Sequence, residues 1–295
     1  KLAMSIAQSA LYIWQFRPQA VIGVGGYVSL PLMYAAQRMG VPTVIHEQNR
    51  LLGMANRLLA PRAARIFLSF PDTKGNYPKG RAKVVGNPVR AGFVAPPTRA
   101  EAHAAFGLAE DVPVVLVCGG SQGAHSMNAA LAEALPAFLP NSLQILWATG
   151  KSDLAMARAA AASAPVRVEV FPFIQEMPKA CVAAELIVSR AGASSTAEIA
   201  ALGKPSILIP FPFATDNHQE ENARAFEAVH AATVLLDKDL NAATLAEAIQ
   251  RTLFNPAKLT MMSEGARSLA QPYAAETIAE EVLALVFGNA KAMEA

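Results

Sequence analysis

Short apolar runs alternate along this chain with longer segments whose apolar positions recur at helical spacing, and glycines stand at many of the junctions. That alternation marks βα units and a parallel sheet. It predicts a helix over residues 2–16, a strand over 20–24, a Gly-Gly turn and a helix ending near Gly40. A strand at 43–46 leads through a loop to a helix around 54–60, and a strand at 65–70 enters a polar turn at Lys74, Gly75 and Asn76. A strand at 83–85 closes this series at Gly86, Asn87 and Pro88.

Ala95-Pro96-Pro97 then has the stiffness of a domain linker. Thr98 and Glu101 have capping-box spacing and start a new helix. Apolar runs follow at 113–117, 143–147, 166–170, 186–189, 206–209 and 233–236, separated by helical patterns such as the Ala-rich stretch 155–164. The tail, 241–287, reads as two or three helices interrupted at Pro272. The expected architecture is α/β, with two doubly wound Rossmann-like domains. The first spans 1–90, the second 91–271, and a helix within 272–295 is placed to return to the first domain. In such sheets ligands bind beyond the carboxyl ends of the strands.

Composition agrees with two packed cores: 53% of residues are hydrophobic and 16% charged, which argues against disorder. A net charge of +2 supplies no electrostatic footprint for nucleic acid. Two cysteines are too few for a disulfide framework and read as reduced thiols of a cytosolic protein. No apolar run reaches the roughly 20 residues of a membrane-spanning helix. No secretory leader pattern is visible. The chain starts at Lys1 inside a predicted helix, so upstream sequence is expected.

Six strand ends carry candidate chemistry. Gly119, Gly120, Ser121, Gln122, Gly123 and Ala124 follow one strand and open a helix. Glycines there let backbone approach a ligand, and a helix N-terminus suits a phosphate. Gly25 and Gly26 form a similar, less specific turn in the first domain. His46 and Glu47 offer acid–base groups, but neighbours on a strand face opposite ways, which favours Asn49 as a binding group. Ser195 and Glu198 have capping-box spacing, and the same segment also reads as a hydroxyl-rich loop with a carboxylate for ribose hydroxyls. Asp216, Asn217, His218 and Gln219 suit either sugar hydroxyls or an ordinary helix start. Asp237-Lys238-Asp239 has the Asp-x-Asp form of a cation site but reads as a solvated turn.

Taken in order, residues 23–29, 46–49, 85–90, 119–124, 190–198 and 216–219 with Asn222 resemble the MurG family over nearly the whole chain. The resemblance implies a GT-B fold and transfer of N-acetylglucosamine from UDP-N-acetylglucosamine to a lipid-linked muramoyl-pentapeptide in peptidoglycan synthesis. It implies no metal or other cofactor, and peripheral work at the cytoplasmic face of the inner membrane. By resemblance, Asn49, Arg90, Ser121, Ile174, Ala193, Ser194, Ser195, Thr196, Ala197, Glu198 and Gln219 contact the donor. Among these, Glu198 reads the ribose, Ile174 meets uracil, and Arg90 and Ser121 lie near the diphosphate. The family's earlier Gly-Gly-Thr-Gly-Gly-His loop has no counterpart here, which implies an inactive chain by itself and leaves the general base open. Other readings are a GT-B glycolipid synthase, a UDP-N-acetylglucosamine 2-epimerase, or a nucleotide-sugar-binding subunit without catalysis. Apolar Leu2, Ile6, Leu11, Tyr12, Trp14 and Phe16, beside Lys1 and Arg17, form either a membrane patch or a core face.

Overall fold

The computed structural model describes residues 2–120 and 123–288, so Ser121 and Gln122 lie outside the described residues. Its first elements are α1 (Leu2–Phe16), β1 (Val21–Gly23), α2 (Ser29–Arg38), β2 (Thr43–Glu47), α3 (Met54–Leu59), β3 (Arg65–Leu68) and β4 (Ala82–Val84). Next come α4 (Ala91–Val94), α5 (Arg99–Phe106), β5 (Val114–Cys118), α6 (His125–Ala134), β6 (Gln144–Ala148), α7 (Leu154–Ala162), β7 (Arg167–Phe171) and α8 (Met177–Ala183). The remainder is β8 (Leu186–Ser189), α9 (Ala193–Ala201), β9 (Ser206–Leu208), α10 (His218–Ala228), β10 (Ala232–Val234), α11 (Ala242–Leu253), α12 (Pro256–Ser268) and α13 (Ala274–Phe287). The chain divides into two units, Lys1–Pro88 with Tyr273–Ala295, and Val89–Pro272.

In the first unit the strands run parallel in the order β1-β2-β3-β4. Strand alternation sends Ile45 and Ile66 into a core with Ile13, Met33 and Leu59. Their neighbours Val44 and Phe67 join Val85 and pack against Ile278, Val282 and Leu285 of α13. With apolar side chains on both faces, β2 is buried along its whole length. The outer helix α1 buries only Ser9 and Ile13, because it packs on α2 through a narrow stripe. Trp14 is 63% exposed and Phe16 83%, so these apolar residues do not form a core face.

The second unit is a six-stranded parallel sheet in the order β10-β9-β8-β5-β6-β7. From β5 the chain winds outward through β6 and β7, then returns to place β8 on the other side of β5. That reversal is the switch point at which doubly wound sheets open for ligands. One face is sealed by Met127 and Leu131 of α6 and by Leu245 and Ile249 of α11 over Val115, Trp147 and Val188. Cys118 and Cys181 are free thiols, and burial holds Cys181 well above the ordinary thiol pKa.

The boundary between units falls at Pro88 and Val89, upstream of the proline pair. Ala95-Pro96-Pro97 therefore joins α4 to α5 inside the second unit and is not the interdomain linker. The cause is α4: Phe93 is 1% exposed, and a Cβ on Gly92 would lie 2.8 Å from Pro178 of α8, so α4 is docked before the prolines begin. Arg90 belongs to this second unit as well. The Thr98–Glu101 capping box is formed, with the Thr98 N–H donating to Glu101 Oε2 at 2.8 Å and Thr98 Oγ1 accepting from the Glu101 N–H at 3.3 Å.

Candidate functional site

Two loops flank the switch point of the second unit, one after β5 and one after β8. After β5 the chain turns through Gly119, Gly120 and Gly123 into α6. Gly123 has φ +78°, and any Cβ there would run into the Thr149 carbonyl, so only glycine lets this loop lie against the end of β6. Ala124 is the N-cap of α6 and offers no side-chain acceptor. Among the described residues no side chain therefore caps the first N–H groups of α6, the arrangement that suits a phosphoryl group.

After β8 the N-cap of α9 is Gly192, again without a side-chain cap. Ser195 consequently sits inside the helix, and no Ser195–Glu198 capping box forms. The hydroxyl in the first turns that does bond backbone is the buried Thr196, whose Oγ1 donates to the carbonyls of Gly192 and Ala193, each at 3.1 Å. Ala193, Ser194, Ser195, Thr196 and Ala197 form the start of α9, and Glu198 lies one turn further on. Its carboxylate accepts from Arg90 Nε at 2.8 Å, and the Arg90 guanidinium stacks 5.1 Å from the Phe93 ring. The fold thus brings together two residues 108 positions apart in the chain. Ile174, 3% exposed, lies in the connection between β7 and α8. Gln219 on α10 accepts the Phe211 N–H at 3.0 Å, and buried Asn222 donates to the Ala191 carbonyl at 3.1 Å.

Two further arrangements at this edge differ from, or were missed by, the reading of the sequence. Asp237 is no solvated turn residue: it accepts from Arg190 Nη1 at 2.5 Å and from Ser126 Oγ at 2.8 Å. With that oxygen committed, Asp237-Lys238-Asp239 has a structural carboxylate where a cation ligand would be needed. The second is His125, the first residue of α6, whose Nδ1 lies 2.9 Å from Asp153 Oδ1. Asp153 also accepts from Asn128 Nδ2 at 2.7 Å, and Asn128 Oδ1 accepts from Trp147 Nε1 at 2.9 Å. Burial opposes ionisation of Asp153, yet the bonds from Asn128 and His125 outweigh it and hold the carboxyl below its usual pKa. No short-range spacing reveals either cluster, because their members lie on different βα units.

The first unit holds the remaining residues. Gly25 and Gly26, at φ +83° and +76°, carry the turn from β1 toward α2. His46 is 3% exposed and its Nε2 lies 2.8 Å from the Gly86 carbonyl, so Nε2 carries the proton and Nδ1 accepts from Gln48 at 3.1 Å. Burial lowers its pKa, against smaller opposing effects of the Gly86 bond and Glu47. Glu47, 2% exposed, accepts from the Asn49 N–H at 3.1 Å, Asn49 Nδ2 at 3.3 Å, the Gly53 N–H at 2.9 Å and Asn56 Nδ2 at 2.8 Å. Both side chains are thus engaged by the turn that follows β2, and the amide nitrogen of Asn49 is committed to Glu47.

Comparison with known proteins places this geometry in context. Residues 1–68 match the glycosyltransferase family 28 N-terminal domain and residues 114–278 the family 28 C-terminal domain. A UDP-N-acetylglucosamine–N-acetylmuramyl-(pentapeptide) pyrophosphoryl-undecaprenol N-acetylglucosamine transferase of Syntrophus aciditrophicus (strain SB) is 42% identical over 289 residues, covering 97% of this chain and 78% of the relative. Its counterpart in Bacillus subtilis (strain 168) is 40% identical over 272 residues, covering 92% and 75%. Among solved structures, Acinetobacter baumannii MurG superposes with a TM-score of 0.80 at 32% identity, covering 94% of this chain and 76% of that one. A UDP-GlcNAc 2-epimerase from Neisseria meningitidis reaches a TM-score of 0.68 at 14% identity, covering 96% and 81%, a likeness of fold alone. The chain therefore belongs to glycosyltransferase family 28 and, within it, to the MurG family of N-acetylglucosamine transferases.

Proposed function

We propose that this chain supplies the donor-binding part of its family's reaction, in which N-acetylglucosamine passes from UDP-N-acetylglucosamine to the 4-hydroxyl of an undecaprenyl-pyrophosphoryl-N-acetylmuramoyl-pentapeptide. The site feature that carries the donor half of this reading is the pairing, across the switch point, of an uncapped α6 N-terminus with the Glu198 carboxylate on α9. The first suits a diphosphate and the second a ribose. In a single inverting displacement, the acceptor oxygen bonds to the anomeric carbon while the bond to the diphosphate oxygen breaks. The departing UDP takes the electron pair, and the acceptor proton goes to a base. The α6 amides and Arg90 stabilise the charge gathering on the diphosphate, which supports a metal-independent reaction. Arg90 bonds Glu198 in the free protein, so donor binding exchanges that pair for contacts to phosphate and ribose. His46 and Glu47 serve the fold in this reading, because their polar atoms are already bonded. Calorimetry tests the donor assignment: UDP and UDP-N-acetylglucosamine should displace one another, with ADP and GDP at least ten times weaker. Equal affinity for all three diphosphates would overturn it.

The lipid-linked acceptor implies a membrane surface. Among the described residues no helix is long and apolar enough to cross a membrane. The exposed face of α1 instead offers Leu2, Leu11, Tyr12, Trp14 and Phe16, beside the exposed Arg17. Exposed apolar side chains with a basic residue beside them suit the boundary of an anionic leaflet, and we infer that α1 lies against the cytoplasmic face of the inner membrane. Changing Trp14 and Phe16 together to glutamate should abolish co-flotation with vesicles containing anionic phospholipid and leave thermal unfolding unchanged. Undiminished flotation would refute the assignment.

A further inference from the structure

The Arg190 side chain is 9% exposed, and its guanidinium makes contacts with an unusual spread. It follows β8 directly, two residues before the N-cap of α9. Its Nη1 donates to the Ile209 and Pro210 carbonyls beyond β9, at 3.2 and 3.1 Å, and to Asp237 beyond β10 at 2.5 Å. Its Nη2 donates to Ser126 Oγ in the first turn of α6 at 2.8 Å, and that hydroxyl donates in turn to Asp237 Oδ1 at 2.8 Å. Its Cζ lies 5.6 Å from the Phe211 ring centroid, and the Phe211 N–H is the donor to Gln219. One side chain therefore ties together the carboxyl ends of β8, β9 and β10 and the start of α6.

Apolar packing would hold four chain segments together without desolvating a charge. A buried ion pair costs solvation and returns little net stability, whereas its directional bonds define relative geometry. Three of the four segments that Arg190 joins here bear a residue or backbone group of the donor reading: the α6 N-terminus, the Gly192 start of α9, and the Phe211–Gln219 contact. We propose that Arg190, held by Asp237 and Ser126, is a positioning residue that sets the spacing between the diphosphate-binding start of α6 and the ribose-binding α9. The proposal rests on the donor assignment made above, and it gives Asp237 the task of counter-ion.

Ser126→Ala removes the α6 arm and leaves the Arg190–Asp237 pair in place. Titrations with UDP and with uridine then separate the roles, since α6 is required for the diphosphate and not for the nucleoside. The expected result is UDP affinity lowered about 10-fold, about 1.4 kcal/mol, with uridine affinity unchanged and Ser126→Thr restoring UDP binding. Asp237→Asn should lower the UDP-to-uridine affinity ratio in the same direction, read below its melting temperature. Unchanged UDP affinity in Ser126→Ala, or equal losses for UDP and uridine, would overturn the positioning role. Should the unsubstituted protein itself bind UDP no better than uridine, the diphosphate assignment at α6 fails, and the proposal with it.

Discussion

Replacement of Glu198 by alanine is expected to weaken UDP binding about 30-fold, a loss of ~2 kcal/mol, with uridine weakened to the same degree. A carboxylate accepting hydroxyl bonds from a ribose makes charge-assisted contacts worth about 1.5–3 kcal/mol. Part of that gain is offset in the intact protein, because the Arg90 bond at 2.8 Å must first be released. The nucleoside and the nucleotide carry the same ribose, so both should lose alike, in contrast to the diphosphate-selective effect of Ser126→Ala. Glu198 side-chain exposure is 14%, and Arg90, its partner, is 53% exposed and can rehydrate, so the melting temperature should move little. Calorimetry on the folded variant decides the matter. Undiminished uridine affinity would remove Glu198 from the ribose site.

The other large effect belongs to Glu47. Its two oxygens satisfy four N–H donors, two from backbone and two from the side-chain amides of Asn49 and Asn56, at a residue 2% exposed. Glu47→Ala leaves these donors without an acceptor around a small cavity, at a cost of about 3 kcal/mol or more. The first unit should then unfold on the order of 10 °C lower in a calorimetric scan. Glu47→Gln should recover only part of this, since its amide would set N–H groups against the donors on one side. A proton-accepting role would leave an opposite signature: an unchanged transition in both variants. Measured melting temperatures within about a degree of the parent would sink the structural assignment.

Much of the fold was legible in the sequence because its cause is local. The helix predicted over 2–16 is α1 at the same residues, and the strand at 186–189 is β8 at the same residues. The six apolar runs of the second series are its six strands, displaced by a residue or two at their ends. Where local spacing failed, a partner from far along the chain intervened. Ser195 and Glu198 have the spacing of a cap, but Gly192 starts the helix and Arg90 draws the carboxylate away. The proline pair at 96–97 looked like a domain boundary until Phe93 proved to be buried upstream of it. His46 and Glu47 looked reactive by residue type, and only the positions of Gly86, Gln48, Gly53 and Asn56 reveal that both are already bonded.

Apolar periodicity and glycine placement depend on neighbours a few residues away, so the amino-acid order alone determined the βα alternation and the two glycine turns after β1 and β5. It also carried the motif order by which the family could be recognised. Ion pairs and buried hydrogen bonds depend on which strand ends meet at the switch point, and that is a property of sheet order. Only the tertiary structure therefore decided that Asp237 is the counter-ion of Arg190, that Arg90 bonds Glu198, and that Leu2, Leu11, Tyr12, Trp14 and Phe16 of α1 face outward. Each of these pairs or exposes groups whose separation in sequence says nothing about their separation in space.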